Sequence, residues 1–165
     1  MGLPLRAARL GISAVNHVLR PSSPLRFAVI GWGSIANRFV GLLAERNPGR
    51  MELVAVCLRR PDRVGPAGVR VLANPTDLPA QRTDIVVEVA GREAVAQWGE
   101  EALEAAPAFA VASTSAFCDG SLLTRLLAVA ERRRHQILVP PGALAGVDGL
   151  AAAAVLGLDR VRHTI

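Results

Sequence analysis

Apolar and polar positions along the chain form short continuous apolar runs that alternate with longer amphipathic segments. The continuous runs are typical of strands covered on both faces, and they predict strands over residues 26–31, 52–58, 69–72, 84–89, 108–112 and 136–139. Helical spacing predicts helices over residues 34–46, 92–106, 119–134 and 143–155. Strands that alternate with helices through short connections indicate an α/β fold, a doubly wound parallel sheet with right-handed crossovers.

Two of the predicted helices have an apolar face that we expect to lie against the sheet. In the helix over 34–46 this face consists of Ile35, Phe39, Leu42 and Leu43. In the helix over 119–134 it consists of Leu122, Leu123, Leu126, Leu127 and Ala130. Asn47, Pro48 and Gly49 break the first helix.

The pattern divides the chain into three parts. Residues 1–25 are rich in arginine, contain no acid and end in a Pro/Ser linker. They are typical of a transit peptide, but a start codon placed upstream of the true one, in an arginine-rich reading frame, would give the same pattern and is the favoured explanation. Residues 26–157 form the predicted sheet domain. Residues 158–165 begin a further strand, which we expect to be the start of a second, catalytic and dimerisation domain.

Charge is distributed unevenly. The formal net charge is +5, but residues 1–44 carry five arginines and no acid, whereas 14 arginines balance 14 acids from Glu45 onward. A nucleic-acid-binding domain presents a basic face with aromatic side chains, and the neutral sheet domain disfavours that class. The longest apolar stretch contains Asp148, so no membrane-spanning segment is predicted.

Cysteine and histidine are too scattered to suggest a metal site. Cys57 and Cys118 form no CxxC pair and no cluster with His17, His135 or His163. Cys57 falls inside an apolar run and is expected to act as a small buried hydrophobe. Nothing requires an oxidising compartment, so we expect a cytoplasmic protein.

A Gly-x-Gly-x-x-Ala motif joins the first predicted strand to the first helix. Gly31 permits a tight turn, Gly33 lets a pyrophosphate approach the backbone, and Ala36 is small enough for close packing of helix on strand. The N–H groups of Ser34 and Ile35 begin the helix and face the anion. This context favours a dinucleotide site, and the alternative is a purely structural turn.

The end of the second strand bears on the choice of cofactor. NAD-binding domains place an acid there to bind the adenosine ribose, but this chain has Leu58 followed by Arg59 and Arg60. Guanidinium groups match the geometry of a phosphate. The sequence therefore predicts NADP, or use of both cofactors, unless the arginines only belong to a solvated loop.

Other residues follow strands at the carboxyl edge, where ligands bind in open parallel sheets. They are Ala90 and Gly91 after the fourth strand, Ser113 after the fifth and Ala143 after the sixth. Each is expected to border the cofactor, or else to serve only its loop. Glu88 is either functional or an ordinary strand-end carboxylate. A serine hydrolase is disfavoured, because Ser113 has no GxSxG context.

Several segments, in order and spacing, carry a family resemblance. They read VIGWGSIA, ELVAV, DIVVEVAGREAV, ILVPPGALAGVDGL and GLDRVRHT. Residues 26–165 resemble the Rossmann-type N-terminal dinucleotide-binding domain of the L-aspartate dehydrogenase family. The resemblance implies NAD(P)-dependent oxidative deamination of an amino acid, L-aspartate, to iminoaspartate, which hydrolyses to oxaloacetate and ammonia and can feed NAD biosynthesis. It also implies a homodimer and a cofactor contact at Ala143.

The resemblance has limits. The family often has glycine between Ser113 and Ala116, where this chain has Thr114 and Ser115. Its catalytic histidine and a cofactor-binding asparagine belong to the second domain, so we expect no catalytic residue, and no activity, in these 165 residues alone. Two alternatives stay open: a non-catalytic nucleotide-binding or sensor module, and a homoserine-dehydrogenase-like oxidoreductase.

Overall fold

The computed structural model describes residues 23–60, 65–141 and 147–155, together with Gly157, Arg160 and Arg162. Within these residues one parallel sheet has the strand order β3-β2-β1-β4-β5-β6. The strands are β1 (Leu25–Ile30), β2 (Met51–Cys57), β3 (Arg70–Leu72), β4 (Ile85–Glu88), β5 (Ala108–Val111) and β6 (Gln136–Leu138). The predicted doubly wound, Rossmann-type sheet is confirmed.

Three helices connect strands, from β1 to β2, from β4 to β5 and from β5 to β6, and a fourth follows β6. They are α1 (Ser34–Arg46), α2 (Arg92–Ala105), α3 (Gly120–Arg133) and α4 (Val147–Ala154). Short 3₁₀ turns occupy Pro75–Asp77, Pro79–Gln81 and Thr114–Cys118. Residues 143–146 of the predicted last helix lie outside the described residues, as does the predicted strand over 158–165 except for Arg160 and Arg162. None of the described helices has the length and apolar composition that a bilayer-spanning helix needs.

Helices cover both faces of the sheet, because successive side chains of a strand point to opposite sides. Phe27 and Val29 of β1 are buried against α1 and contact Ala36. Ala28 and Ile30 point the other way, into a larger core. That core is filled by α2, α3 and the strands they cover, with Trp98, Leu103, Phe109 and Leu126 among its largest side chains.

Two predicted core positions are wrong. Ile35 is 65 % exposed and Leu127 is 52 % exposed. In α1 the inner stripe starts at Ala36 and continues through the half-buried Phe39, Val40 and Leu43. In α3 it consists of Leu122, Leu126, Val129 and Ala130. Both stripes follow helical spacing in steps of three and four residues. Ile35 and Leu127 are each turned about 100° from a buried neighbour, Ala36 and Leu126, and so lie beyond the edge of the buried face.

The strand order determines where a ligand can bind. From β1 the chain crosses to β2 and β3 on one side, whereas β4, β5 and β6 lie on the other. The loops after β1 and β4 therefore leave the sheet in opposite directions and open a crevice at its carboxyl edge. The predicted site residues Gly31, Gly33, Ala90 and Gly91 all lie on these two loops.

Candidate functional site

The turn after β1 requires glycine at its first position. The Gly31 N–H donates to the Cys57 carbonyl at 2.9 Å, so the turn is tied to the end of β2. Its φ of +96° is a conformation that residues with a side chain rarely adopt. A Cβ at this position would lie 2.7 Å from the Ala90 Cβ. The fold itself therefore explains Gly31.

The fold does not explain Gly33 in the same way. Its φ of −96° is open to any residue, and no heavy atom lies within 4 Å of the position of an added Cβ. Gly33 caps α1 without a side-chain hydrogen bond, and the first turn of α1 contains no acid. The first N–H groups of a helix have no partner within it. Open space in front of such groups is suited to an anion.

A cavity of about 470 Å³ lies in front of this turn, at the carboxyl ends of β1, β2 and β4. It brings together six of the predicted site residues, namely Gly31, Gly33, Arg59, Arg60, Ala90 and Gly91. Ser34 and Ile35 do not line it but lie exposed at the start of α1. Ala36 is fully buried against β1.

The end of β2 presents cations to the cavity. Leu58 is buried, and its N–H donates to the Leu72 carbonyl at 2.8 Å. Arg59 and Arg60 follow it, exposed, and both line the cavity. Within the described part of the chain neither guanidinium forms an ion pair. Both guanidinium groups are therefore well placed for an anionic ligand.

Glu88, the last residue of β4, is completely buried and binds two loops. Its Oε1 accepts hydrogen bonds from the N–H groups of Ala90 and Gly91, both at 2.7 Å, and from the Ser113 Oγ at 3.0 Å. Its Oε2 accepts one from the Ser113 N–H at 3.0 Å. Glu88 therefore joins the loop after β4 to the loop after β5.

Ser113 does not line the cavity. Its N–H and Oγ bond to Glu88, which also accepts hydrogen bonds from Ala90 and Gly91 in the cavity wall. The described histidine, His135, is remote from Ser113, because it precedes β6 at the amino edge, with its Nδ1 2.7 Å from the Leu103 carbonyl. This separation argues against a Ser–His pair. Ala143 lies outside the described residues.

Comparison with known proteins identifies the type of domain. A family model described as Homoserine dehydrogenase, NAD binding domain, matches residues 31–140, which include the turn after β1 and the loops after β2, β4 and β5. The chain belongs to this family. Its cofactor is therefore of the NAD or NADP type.

Individual relatives connect this NAD-binding domain to the L-aspartate dehydrogenases. The L-aspartate dehydrogenase of Brucella anthropi is 45 % identical over 139 residues, 83 % of this chain and 52 % of that protein. The crystal structure of aspartate dehydrogenase from Thermotoga maritima superposes with a TM-score of 0.60 at 26 % identity, over 82 % of this chain and 60 % of that one. The resemblance noted from the sequence is confirmed.

A third relative was solved with a cofactor. The WlbA dehydrogenase from Chromobacterium violaceum, in complex with NADH and UDP-GlcNAcA, superposes with a TM-score of 0.63 at 26 % identity, over 81 % of this chain and 40 % of that one. The chain spans about half the length of the curated relatives that it matches.

Five polar or aromatic residues of the NAD-binding domain line the cavity without having been predicted as site residues: Trp32, Cys57, Glu93, Gln97 and Trp98. Glu93 and Gln97 are spaced i, i+4 at the start of α2, so one face of that helix could have been assigned to the cavity. Trp32 occupies the variable position of Gly-x-Gly, where the motif specifies no residue type, so the motif could not have identified it as a cavity residue.

Cys57 is buried at the base of the cavity, as the sequence predicts. Burial raises the pKa of its thiol to about 12, so the thiol stays protonated at neutral pH and does not serve as a nucleophile. The described ranges contain no group of three or more His, Cys, Asp or Glu residues that could hold a metal ion.

Proposed function

We propose that this domain binds a nicotinamide dinucleotide across the carboxyl edge of the sheet. The observation that carries the proposal is the open space at Gly33, which lines the cavity in front of the start of α1, where no side chain bonds to the first N–H groups of the helix. The pyrophosphate would bind at Gly31, Gly33, Ser34, Ile35 and Ala36. The adenosine would lie towards Arg59 and Arg60, and the nicotinamide towards Ala90, Gly91, Ser113 and Ala143.

The cofactor, when bound, supplies a hydride acceptor. The residues of the domain bind and orient it. The N–H groups at the start of α1 and the helix dipole hold the pyrophosphate. The loops after β4 and β5 fix the half of the cofactor that lies beyond the switch point between β1 and β4.

Replacement of Gly33 by valine tests the site. The branched side chain would occupy the space that the pyrophosphate needs, while no protein atom lies close enough to be displaced. We expect titration calorimetry with NADH and NADPH to show a loss of about tenfold or more, since even one lost charge-assisted hydrogen bond is worth that much. Gly41→Val is the control, because it adds the same side chain farther along α1, where space is also open. Equal affinities for wild type and Gly33→Val would refute the proposal.

We further propose that the domain prefers NADP or uses both cofactors. Arg59 and Arg60 reach the cavity where an NAD-specific domain has an acid. Loss of a charge-assisted contact costs about 1.5–3 kcal/mol, so alanine at both positions should lower NADPH affinity by one to two decades and leave NADH affinity nearly unchanged. Alanine at Arg132 and Arg133, which pair with Glu104 elsewhere, removes the same charge as a control. Tenfold tighter binding of NADH than NADPH by the unaltered protein would contradict this preference.

For the whole protein we propose NAD(P)-dependent oxidative deamination of L-aspartate in the cytoplasm, by a homodimer. The support is the identity with L-aspartate dehydrogenases over most of this chain. The protein expressed from its native gene should reduce cofactor with L-aspartate in preference to L-homoserine. Reduction with L-homoserine alone would favour a homoserine dehydrogenase. Cofactor binding without turnover of either would favour a non-catalytic module.

A further inference from the structure

Glu88 is an acid in an otherwise apolar strand, and strands of a parallel sheet that is covered on both faces are normally apolar throughout. In the sheet it pairs with Ile30 of β1 and Val111 of β5, and it is completely buried between them. A buried carboxyl group is costly unless hydrogen bonds satisfy it. A Val or Leu at this position would fill the core without that requirement, so the acid needs a reason that packing does not supply.

The partners of Glu88 indicate that reason. Three of its four side-chain hydrogen bonds come from backbone N–H groups, those of Ala90, Gly91 and Ser113. Its own carbonyl accepts a further bond from the Ala112 N–H at 3.1 Å. These groups belong to the loops after β4 and β5. One side chain thus holds two neighbouring loops of the carboxyl edge from beneath.

The loops that Glu88 holds contain unusual backbone. Gly91 has a φ of +142°, which favours glycine, and it caps α2 without a side-chain hydrogen bond. Ala90 lies against Gly31, with its Cα 3.0 Å from the position of an added Cβ there. A shift of Ala90 would therefore also displace the turn after β1. The order of the strands assigns these loops to the side of the switch point opposite β2.

We propose that Glu88 is a positioning residue that holds the loops after β4 and β5 in the conformation that binds the nicotinamide half of the cofactor. The inference rests on the proposed dinucleotide site. Glu88 does not line the cavity. It acts through the backbone of Ala90, Gly91 and Ser113, and the adenosine half, held near β2, depends on it much less.

Glu88→Gln tests this role with almost no change in shape. An amide can retain an oxygen towards Ala90 and Gly91, but its NH₂ group then faces the Ser113 N–H, donor against donor. Titration calorimetry of the 165-residue chain compares NADPH with 2′-phospho-ADP-ribose, which has no nicotinamide. We expect the ratio of the two affinities to fall by about tenfold, mainly through NADPH. The fluorescence of bound NADPH, which reports on the nicotinamide environment, should also change.

Two further variants keep the test decisive. Ser113→Ala removes a single donor to Glu88 and should shift the same ratio by about threefold, so it decides the matter if Glu88→Gln does not fold. Leu103→Val, in the buried part of α2 near the amino edge, destabilises the core without touching the loops and should leave the ratio unchanged.

The outcomes separate the inference from the proposed function. A selective loss of NADPH affinity supports the positioning role. Equal losses for both ligands, or no loss, would show that Glu88 is only structural and overturn the inference while the dinucleotide site stands. Failure of the wild-type chain to bind either ligand would overturn the dinucleotide site and the inference with it.

Discussion

Gly31→Ala is expected to destabilise the fold through two separate effects. The residue has a φ of +96°, and an added methyl group would lie 2.7 Å from the Ala90 Cβ and 3.0 Å from its Cα. Carbon atoms normally pack about 3.5–4.0 Å apart, so the loop after β4 has to move. Ala90 and the following Gly91 are held by Glu88, which limits that movement.

The size of the loss follows from these two effects. A positive φ costs a residue with a side chain about 1–2 kcal/mol, and overpacking costs about 1–3 kcal/mol. The expected loss in the free energy of unfolding is therefore about 2–5 kcal/mol, a large part of the roughly 5–15 kcal/mol that stabilises a domain. In a chain of this length a loss of 3 kcal/mol lowers Tm by roughly 6–12 °C.

Gly49→Ala separates the two effects. Gly49 also has a positive φ, +72°, but no heavy atom lies within 4 Å of the position of its added Cβ. Urea unfolding followed by circular dichroism should give Gly49→Ala only the backbone cost and Gly31→Ala a clearly larger one. Adding Ala90→Gly to Gly31→Ala should restore part of the loss, because the nearest clashing atom is removed. If Gly31→Ala costs no more than Gly49→Ala, the close approach of the two loops is refuted.

Three other predictions concern Asp119, the two cysteines and the activity of the 165-residue chain. Hydrogen bonds from the Ser121 hydroxyl, and then from the Leu122 and Ser121 N–H groups, lower the pKa of Asp119. The stabilising effect of Asp119 is therefore present above the ordinary Asp pKa and is lost as pH falls through the lowered pKa. Asp119→Ala should lower Tm at neutral pH and weaken the fall of Tm with acid, whereas an unchanged dependence of Tm on pH would contradict the role of Asp119 as the N-cap of α3. A thiol reagent at neutral pH should label exposed Cys118 and spare buried Cys57 until the chain unfolds, as mass spectrometry would show; equal labelling rates would contradict the burial. The 165-residue chain alone should show no aspartate-dependent reduction of NAD or NADP, because the described part of it has no histidine at the carboxyl edge of the sheet to move the amine proton. If such reduction is measured, other residues of the chain move that proton.

The sequence predicted the fold because its information is local. Continuous apolar runs, helical spacing and turn residues act over a few positions, and each described strand and helix follows from them. The errors at Ile35 and Leu127 have the same origin, since an apolar residue one position outside a stripe cannot be distinguished from a member of it by composition. Gly31 and Gly33 were found because the motif describes a single turn.

The part of the site that could not be predicted depends on distant contacts. Gly31 meets Ala90, and Glu88 meets Ser113, only because the sheet places β4 beside β1 and β5. Nothing near Glu88 in the sequence shows that its side chain points inward or that two loops will donate to it. Its apolar neighbours predict a buried strand, and an acid within that pattern is the one local sign of a special role.

These contacts solve a problem that any cofactor-binding edge presents. The backbone that faces a ligand must stay open on that side, so side chains cannot cover and fix it from above. Here it is fixed from below and from the side, by Glu88 under the loops after β4 and β5 and by Ala90 against Gly31. In the proposed site, Glu88 acts on the cofactor only through the loops it holds, so a substitution beneath the edge should lower cofactor affinity although its side chain does not line the cavity.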